Sequence, residues 1–173
     1  TFTNKAAQEM RDRVQALVGP VAKSMWVSTF HSACVRILRA QAEHLGYPKT
    51  FSIYDQSDAQ RLVGYCIRDL GLDPKRYSAR GVQARISLWK NELIIPHDAA
   101  QQVNNNIDQK YVDVYREYQK RLERAGAMDF DDLLTNVVRL FRQHPEVLRL
   151  YQERFKHIMI DEYQDTNMAQ NAI

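Results

Sequence analysis

The 173-residue sequence predicts an α/β domain whose parallel sheet is interrupted by a large all-helical insertion. Three observations carry this. The first part of the chain alternates strand-like and helix-like patterns, which is the signature of a parallel sheet. From about Ser57 to Glu153 the patterns are nearly all helical. Then the short apolar run Ile158-Met159-Ile160 returns, followed directly by Asp161-Glu162. A crossover between neighbouring parallel strands needs one helix of about a dozen residues or more. The much longer detour here implies a helical unit inserted into an α/β domain.

Each element has a local reason. Thr1-Phe2-Thr3 reads as the end of a strand, and Asn4 as the cap of a helix carrying Ala6, Ala7, Met10, Val14, Leu17 and Val18 on one side. Gly19-Pro20 stop that helix. Met25-Trp26-Val27 reads as a second strand, ending at Ser28-Thr29. The next helix places Phe30, Ala33, Cys34, Ile37, Leu38 and Leu45 together and closes at Gly46. Residues 1–46 and 126–173 are assigned to the α/β part, and residues 47–125 to the helical insertion. Within the insertion, Ser57-Asp58-Ala59-Gln60 reads as a capping box opening a helix to Gly71. Ser78 caps another through Leu93, and Pro96 sits in the first turn of a short one. A long helix follows with Tyr111, Val114, Tyr115, Tyr118 and Leu122 on one face, read as core of the insertion. Phe130 to Phe141 and Glu146 to Phe155 supply two more helices, split by Pro145. The last strand spans His157 to Ile160.

Composition narrows the class. With 45% hydrophobic and 10% aromatic residues the chain can bury a core, so disorder is excluded as the default. A formal charge of +3 permits a polyanionic partner without arguing for one. Cys34 and Cys66 have neither metal-ligand spacing nor a disulfide framework, which fits a reducing compartment. No apolar stretch approaches membrane-spanning length. The opening TFTNKAAQEM reads like the interior of a domain, so the sequence is taken as a piece of a longer protein.

The chemistry concentrates at Asp161-Glu162. In open α/β sheets ligands bind beyond the carboxyl ends of the strands. A carboxylate there can hold Mg²⁺, largely through water, and the ion neutralises nucleotide phosphates. The neighbouring Glu162 can accept a proton from an attacking water. The plainer alternative is a solvated strand end at which Asp161 begins a turn. The six glycines are followed by Pro, Tyr, Tyr, Leu, Val and Ala, so no Gly-Lys-Ser/Thr phosphate cradle is present.

Longer strings resemble a known family. IDEYQDTNMAQ resembles the Walker B segment of the UvrD/PcrA/Rep-type DNA helicases of superfamily 1. TFTNKAAQEMRDRV resembles their motif Ia, VSTFHSACVRILR their motif Ib, and MDFDDLL the short motif before the Walker B strand. All four stand in family order, and the likeness covers effectively the whole chain. The resemblance implies a partial RecA-like sheet, with the phosphate-binding loop outside these residues. It implies ATP and Mg²⁺ as cofactors, Asp161 as metal ligand and Glu162 as catalytic base, with Gln164 and Asp165 coupling the site. Phe2 would stack on a base of single-stranded DNA, an aromatic face suiting any base. Thr3, Asn4, Thr29 and His31 would bind phosphate or sugar near helix N-termini. Taken alone, His31 reads as a capping or packing residue, and Asn4 and Thr29 are helix caps in either case. Lys75 and Arg76 would touch duplex phosphates at the fork, or else form a solvated basic surface; Arg85 and Lys90 are lesser candidates for the same role.

The function so implied is ATP-dependent 3′→5′ helicase or translocase action in DNA repair or replication, in the cytoplasm at the nucleoid. Partners are single-stranded DNA, the duplex junction, a second RecA-like domain and repair proteins, with no membrane. The 173-residue chain alone is expected to hydrolyse no ATP. Two rivals stand beside this reading: a helicase subunit of a recombination nuclease complex, and a non-catalytic module that binds DNA or protein. Asp129, Asp131 and Asp132 are read as helix-capping charges with no catalytic part.

Overall fold

A computed structural model describes residues 1–173. Helix α1 (Asn4–Val18) starts from Thr3, whose Oγ1 accepts from the Ala6 N–H at 3.1 Å. The cap is therefore Thr3, one residue before the expected Asn4, because Thr3 has the extended backbone that a cap requires. Gly19 ends α1 at φ 68°, a conformation open to glycine. Helix α2 (Phe30–Gln41) is capped by Thr29 and runs into a 3₁₀ turn (Ala42–Leu45). After strand β1 (Ser52–Tyr54) come α3 (Gln56–Asp69), α4 (Ala79–Asn91), α5 (Pro96–Gln102) and α6 (Asn106–Arg124). Strand β2 (Ala127–Asp129), α7 (Phe130–Gln143), α8 (Pro145–Arg154), a 3₁₀ turn (Tyr163–Asp165) and the short α9 (Met168–Asn171) complete the chain. The α3 cap is Asp55, in a capping box with Asp58, two residues ahead of the expected Ser57.

The sheet differs from expectation. Its two strands are β1 and β2, paired in parallel with Ser52 opposite Ala127 and Tyr54 opposite Asp129. Neither was expected as a strand, although Ile53-Tyr54 has the β-branched and aromatic character that suits one. The three expected strands do not form. Thr1–Thr3, Met25–Val27 and His157–Ile160 are irregular. Only one trace of pairing joins the first two: the Thr1 ammonium donates to Ser28 O at 3.4 Å, and the Phe30 N–H to Thr1 O at 3.3 Å. Ile158 and Met159 are 71% and 95% exposed. A strand exists only where a neighbour completes its ladder, and no strand of this chain lies beside that apolar run.

Two hydrophobic clusters share the β1–β2 ribbon. The first holds Cys34, Leu38, Phe51, Met128, Leu134 and Tyr151, drawn from α2, β2, α7, α8 and the segment before β1. Tyr47 and Phe51, assigned by sequence to the insertion, pack here. The second cluster joins α3, α4 and α6 through Val63, Trp89, Tyr115, Tyr118 and Leu122. Trp89 stacks on Tyr115 with ring centroids 5.8 Å apart. Burying such side chains stabilises the fold by about 1.5–3 kcal/mol each. The ribbon obeys the two-residue period of a strand. Ile53 and Met128 face the first cluster, Tyr54 and Ala127 the second.

Helices α2 and α7 pack side by side and point the same way. Near their starts His31 lies 6.1 Å from Phe130, ring to ring; just past their ends His44 lies 4.7 Å from His144.

Candidate functional site

The acidic segment leaves the irregular run at Ile160 and turns sharply. Glu162 adopts the left-handed conformation (φ 52°, ψ 46°), and its carbonyl accepts from the Asp165 N–H at 2.9 Å. A non-glycine residue held there stores about 1–2 kcal/mol. Asp161, Glu162, Tyr163, Gln164 and Asp165 are all exposed. No ion pair or side-chain hydrogen bond engages the Asp161 or Glu162 carboxylate. One unengaged carboxylate, completed by water and nucleotide phosphates, fits the way Mg²⁺ is usually held. The chain's one ready cluster of metal-ligating atoms lies elsewhere: His44, His144 and Glu146, with donor atoms within 4.8 Å of one another.

The segment is fastened on its downstream side. Asn167 and Gln170 form a reciprocal capping box for α9, and Ala169 is completely buried against α7. The Asn167 side-chain amide also donates to Asn91 Oδ1 at 2.6 Å, a contact spanning 76 positions of sequence.

Five of the residues assigned to DNA gather at the N-termini of α1 and α2. The Phe2 ring is half-buried, 5.8 Å from Phe30. Thr3 caps α1 and Asn4 is exposed in its first turn. Thr29 is buried, its Oγ1 accepting from the Ser32 N–H at 3.2 Å and donating to Ser32 Oγ at 2.9 Å. His31 sits edge-on to Phe130; burial lowers its pKa and the nearby Asp131 carboxylate only partly opposes this, so the ring is neutral at pH 7. Phe130 itself is 48% exposed, giving the patch an aromatic surface that the sequence reading did not include.

Lys75 and Arg76 stand apart from that patch, in the exposed loop before α4. The loop is held by Asp73, whose carboxylate accepts from the Lys75 N–H at 2.9 Å, while the Arg76 and Tyr77 N–H groups donate to its carbonyl. Tyr77 anchors the loop in the second cluster. Neither cation is ion-paired, although the Arg76 guanidinium lies over the Tyr77 ring at 5.8 Å. Arg85 lies over the Trp89 ring at 4.8 Å.

Lys90, a lesser candidate for phosphate, has a different role. It is 2% exposed and donates to Asp129 Oδ2 at 2.7 Å and Asp132 Oδ1 at 2.8 Å. Those two carboxylates also form the capping box of α7. The Tyr118 hydroxyl donates to Asp129 Oδ2 at 2.7 Å, and the Gln119 amide to Asp132 Oδ1 at 3.3 Å. Burial alone would push the Lys90 ammonium down, but the paired carboxylates hold its pKa above the usual lysine value. Burial likewise opposes ionisation of Asp129, and Lys90 and Tyr118 overcome it, leaving that carboxyl below its ordinary value. Asp132, buried beside the Asp129 charge, is pushed up to about 7. The aspartates are caps, as expected; their lysine was not foreseen because its partners lie 39 and 42 positions away.

Comparison with known proteins shows the family. Residues 1–173 match the model of the UvrD/REP helicase N-terminal domain. The chain is 53% identical over 177 residues to ATP-dependent DNA helicase UvrD1 of Mycobacterium tuberculosis, covering 100% of this chain and 23% of that protein. It is 45% identical over 170 residues to ATP-dependent DNA helicase PcrA of Bacillus subtilis, covering 98% of this chain and 23% of that one. With PcrA of Staphylococcus aureus the figures are 46% over 173 residues, 100% and 24%. The chain thus spans about a quarter of the length of these relatives.

Proposed function

Because the chain belongs to the UvrD/REP helicase family through its N-terminal domain, we propose that it forms part of the motor of an ATP-dependent 3′→5′ DNA helicase acting in repair or replication. The observation that carries this reading is the acidic pair. Asp161 and Glu162 project into solvent, unengaged, from a turn anchored behind them by Asn167. Such a site suits a cation that arrives with a bound nucleotide and stands between these carboxylates and its phosphates.

Asp161 would hold Mg²⁺, which when bound neutralises phosphate charge. Glu162 orients a water and accepts its proton. Gln164 and Asp165, on the same exposed turn, couple this site to its surroundings. Phe2 offers a face to passing bases without sequence preference. Thr3, Asn4, Thr29 and the neutral His31 supply hydrogen bonds to sugar or phosphate. Lys75 and Arg76 supply a salt-sensitive contact to duplex phosphates.

A RecA-like core of residues 1–46 and 126–173, with residues 47–125 as insertion, is supported by the separation of the two clusters. The match is not exact at the ribbon: Tyr47, Phe51 and Ile53 pack in the first cluster and Ala127 in the second. A second RecA-like domain would close over the nucleotide, and repair proteins would recruit the motor in the cytoplasm. The 173-residue chain has no phosphate cradle, and we expect it to hydrolyse no ATP alone.

The test is a DNA-stimulated ATPase assay on the full-length protein carrying Glu162→Gln. Turnover should fall by two orders of magnitude or more with nucleotide binding retained, about the size of a lost general base. Wild-type turnover in that variant would end the reading.

A further inference from the structure

Helix α4 connects two regions assigned different tasks. Its N-terminal end follows the Lys75-Arg76 loop through the Ser78 cap, and its C-terminal end carries Lys90 and Asn91. Thirteen residues make a rod of about 20 Å. Lys90 locks that end to Asp129 and Asp132 at the start of α7. Asn91, beside it, does something else.

The Asn91 amide nitrogen donates to Ser87 O at 2.9 Å and to Asp131 Oδ1 at 3.3 Å. A carboxylate and a carbonyl can only accept, so these partners fix which way the amide faces. Its oxygen is left to accept from Asn167 Nδ2 at 2.6 Å. Asn167 is in turn committed: its own oxygen accepts from the Gln170 N–H at 2.8 Å, and its backbone N–H donates to Gln170 Oε1 at 3.0 Å. Each amide atom of Asn91 and Asn167 thus has a partner, and the Ser87 carbonyl, the Asp131 carboxylate and the Gln170 N–H exclude the flipped arrangement.

Asp131, the other end of the relay, lies close enough to His31 for its charge to act on that ring. Its neighbour Phe130 packs edge-on to the same histidine. Thus Asn91 is the junction of three parts: α4, the His31/Phe130 patch and the segment behind the acidic pair.

We infer that Asn91 is a positioning residue of the ATPase site, holding the Asp161–Asp165 turn in place through Asn167 and tying it to α4 and the His31/Phe130 patch. This rests on the reading of Asp161 and Glu162 given above. In this role Asn91 acts through Asn167 and not on the nucleotide itself. It sets where the base stands, so its loss should slow the chemical step and leave ATP affinity alone.

The experiment is a double-mutant cycle in the full-length protein with Asn91→Ala, Asn167→Ala and both together, reading DNA-stimulated kcat, KM for ATP and melting temperature. Each single variant should lose about tenfold in kcat, with KM within about twofold of wild type. The double variant should be no slower than Asn167→Ala, which cuts the same link as Asn91→Ala and also removes the α9 cap. Melting temperatures should stay within a few degrees, because both side chains lie at the half-buried edge of the fold. Unchanged kcat, multiplicative losses in the double variant, or a loss matched by a rise in KM would each overturn the inference. Glu162→Gln, run in parallel, separates the two readings. If it abolishes turnover and Asn91→Ala does not slow it, only the positioning role is lost. If Glu162→Gln turns over normally, the catalytic reading itself has failed.

Discussion

Replacing Lys90 by methionine tests the interior of this fold most directly. The change keeps length and apolar volume but removes the ammonium lying 2.7 and 2.8 Å from two buried carboxylates. Breaking a buried ion pair by removing one partner costs about 3–5 kcal/mol, because the other charge is left uncompensated. Here two carboxylates lose their shared cation, so the upper half of that range applies, against a total stability of about 5–15 kcal/mol for an ordinary domain. The loss must depend on pH. In the wild type, Lys90 holds the Asp129 carboxyl below its ordinary value, so this contribution is present above about pH 4 and disappears as pH falls through the lowered pKa. Without the ammonium, burial raises both carboxyl pKa values, and the variant loses further stability as pH rises through them. Asp132 already contributes in that direction in the wild type, since its carboxyl is pushed up to about 7. The deficit of the variant relative to wild type should therefore be smallest near pH 4–5 and largest near pH 8. Urea denaturation at both ends of that range measures it. With a slope of about 2 kcal/mol per molar urea, the midpoint at pH 8 should drop by roughly 2 M. A deficit under about 1 kcal/mol, or one independent of pH, would show that the cluster does not act as a buried charge network. Adding Asp129→Asn and Asp132→Asn to Lys90→Met should restore much of the loss.

Two further outcomes follow from the site geometry. Glu162→Gly abolishes the proposed catalysis yet should not destabilise the protein: a residue at φ 52° gains from glycine about what the unfolded chain takes back, giving a change between zero and +1 kcal/mol by thermal melting. A clear loss would mean that the turn is held by the glutamate side chain. Lys75→Ala and Arg76→Ala should each lower the slope of log affinity against log salt for a duplex-junction DNA by roughly 0.9, measured by fluorescence anisotropy, with no dependence on sequence. An unchanged slope would leave that loop as solvated surface.

Helices were legible in the sequence because their signals are local. The apolar spacing of α6 and the Gly19 and Gly46 stops lie within a few residues of what they control. Even the misplaced caps at Asn4 and Ser57 missed by only one or two residues, since several neighbouring polar side chains could each reach the same N–H groups. Strands were not legible in the same way. Ile158-Met159-Ile160 looks more strand-like than Ala127-Met128-Asp129, but the second has Ser52–Tyr54 beside it and the first has no neighbour. Pairing is decided by distant residues, and a three-residue pattern does not record it. The candidate site divides along the same line. Asp161, Glu162 and the Phe2/Thr29/His31 patch could be picked out from contiguous strings, whereas the burial of Lys90 and the hold of Asn91 on Asn167 arise from partners 39 to 76 positions away. A lysine followed by an asparagine reads as surface until those partners are known.

The narrow ribbon between the clusters has a last consequence. Its alternate side chains are shared out, Met128 and Ile53 to one interior and Ala127 and Tyr54 to the other. Neither half can melt alone without stripping one side of a wall that the other still needs. A slip of one position would press a methionine where an alanine fits and leave a hole across the partition. Two interiors divided by so thin a septum should therefore unfold in a single cooperative transition.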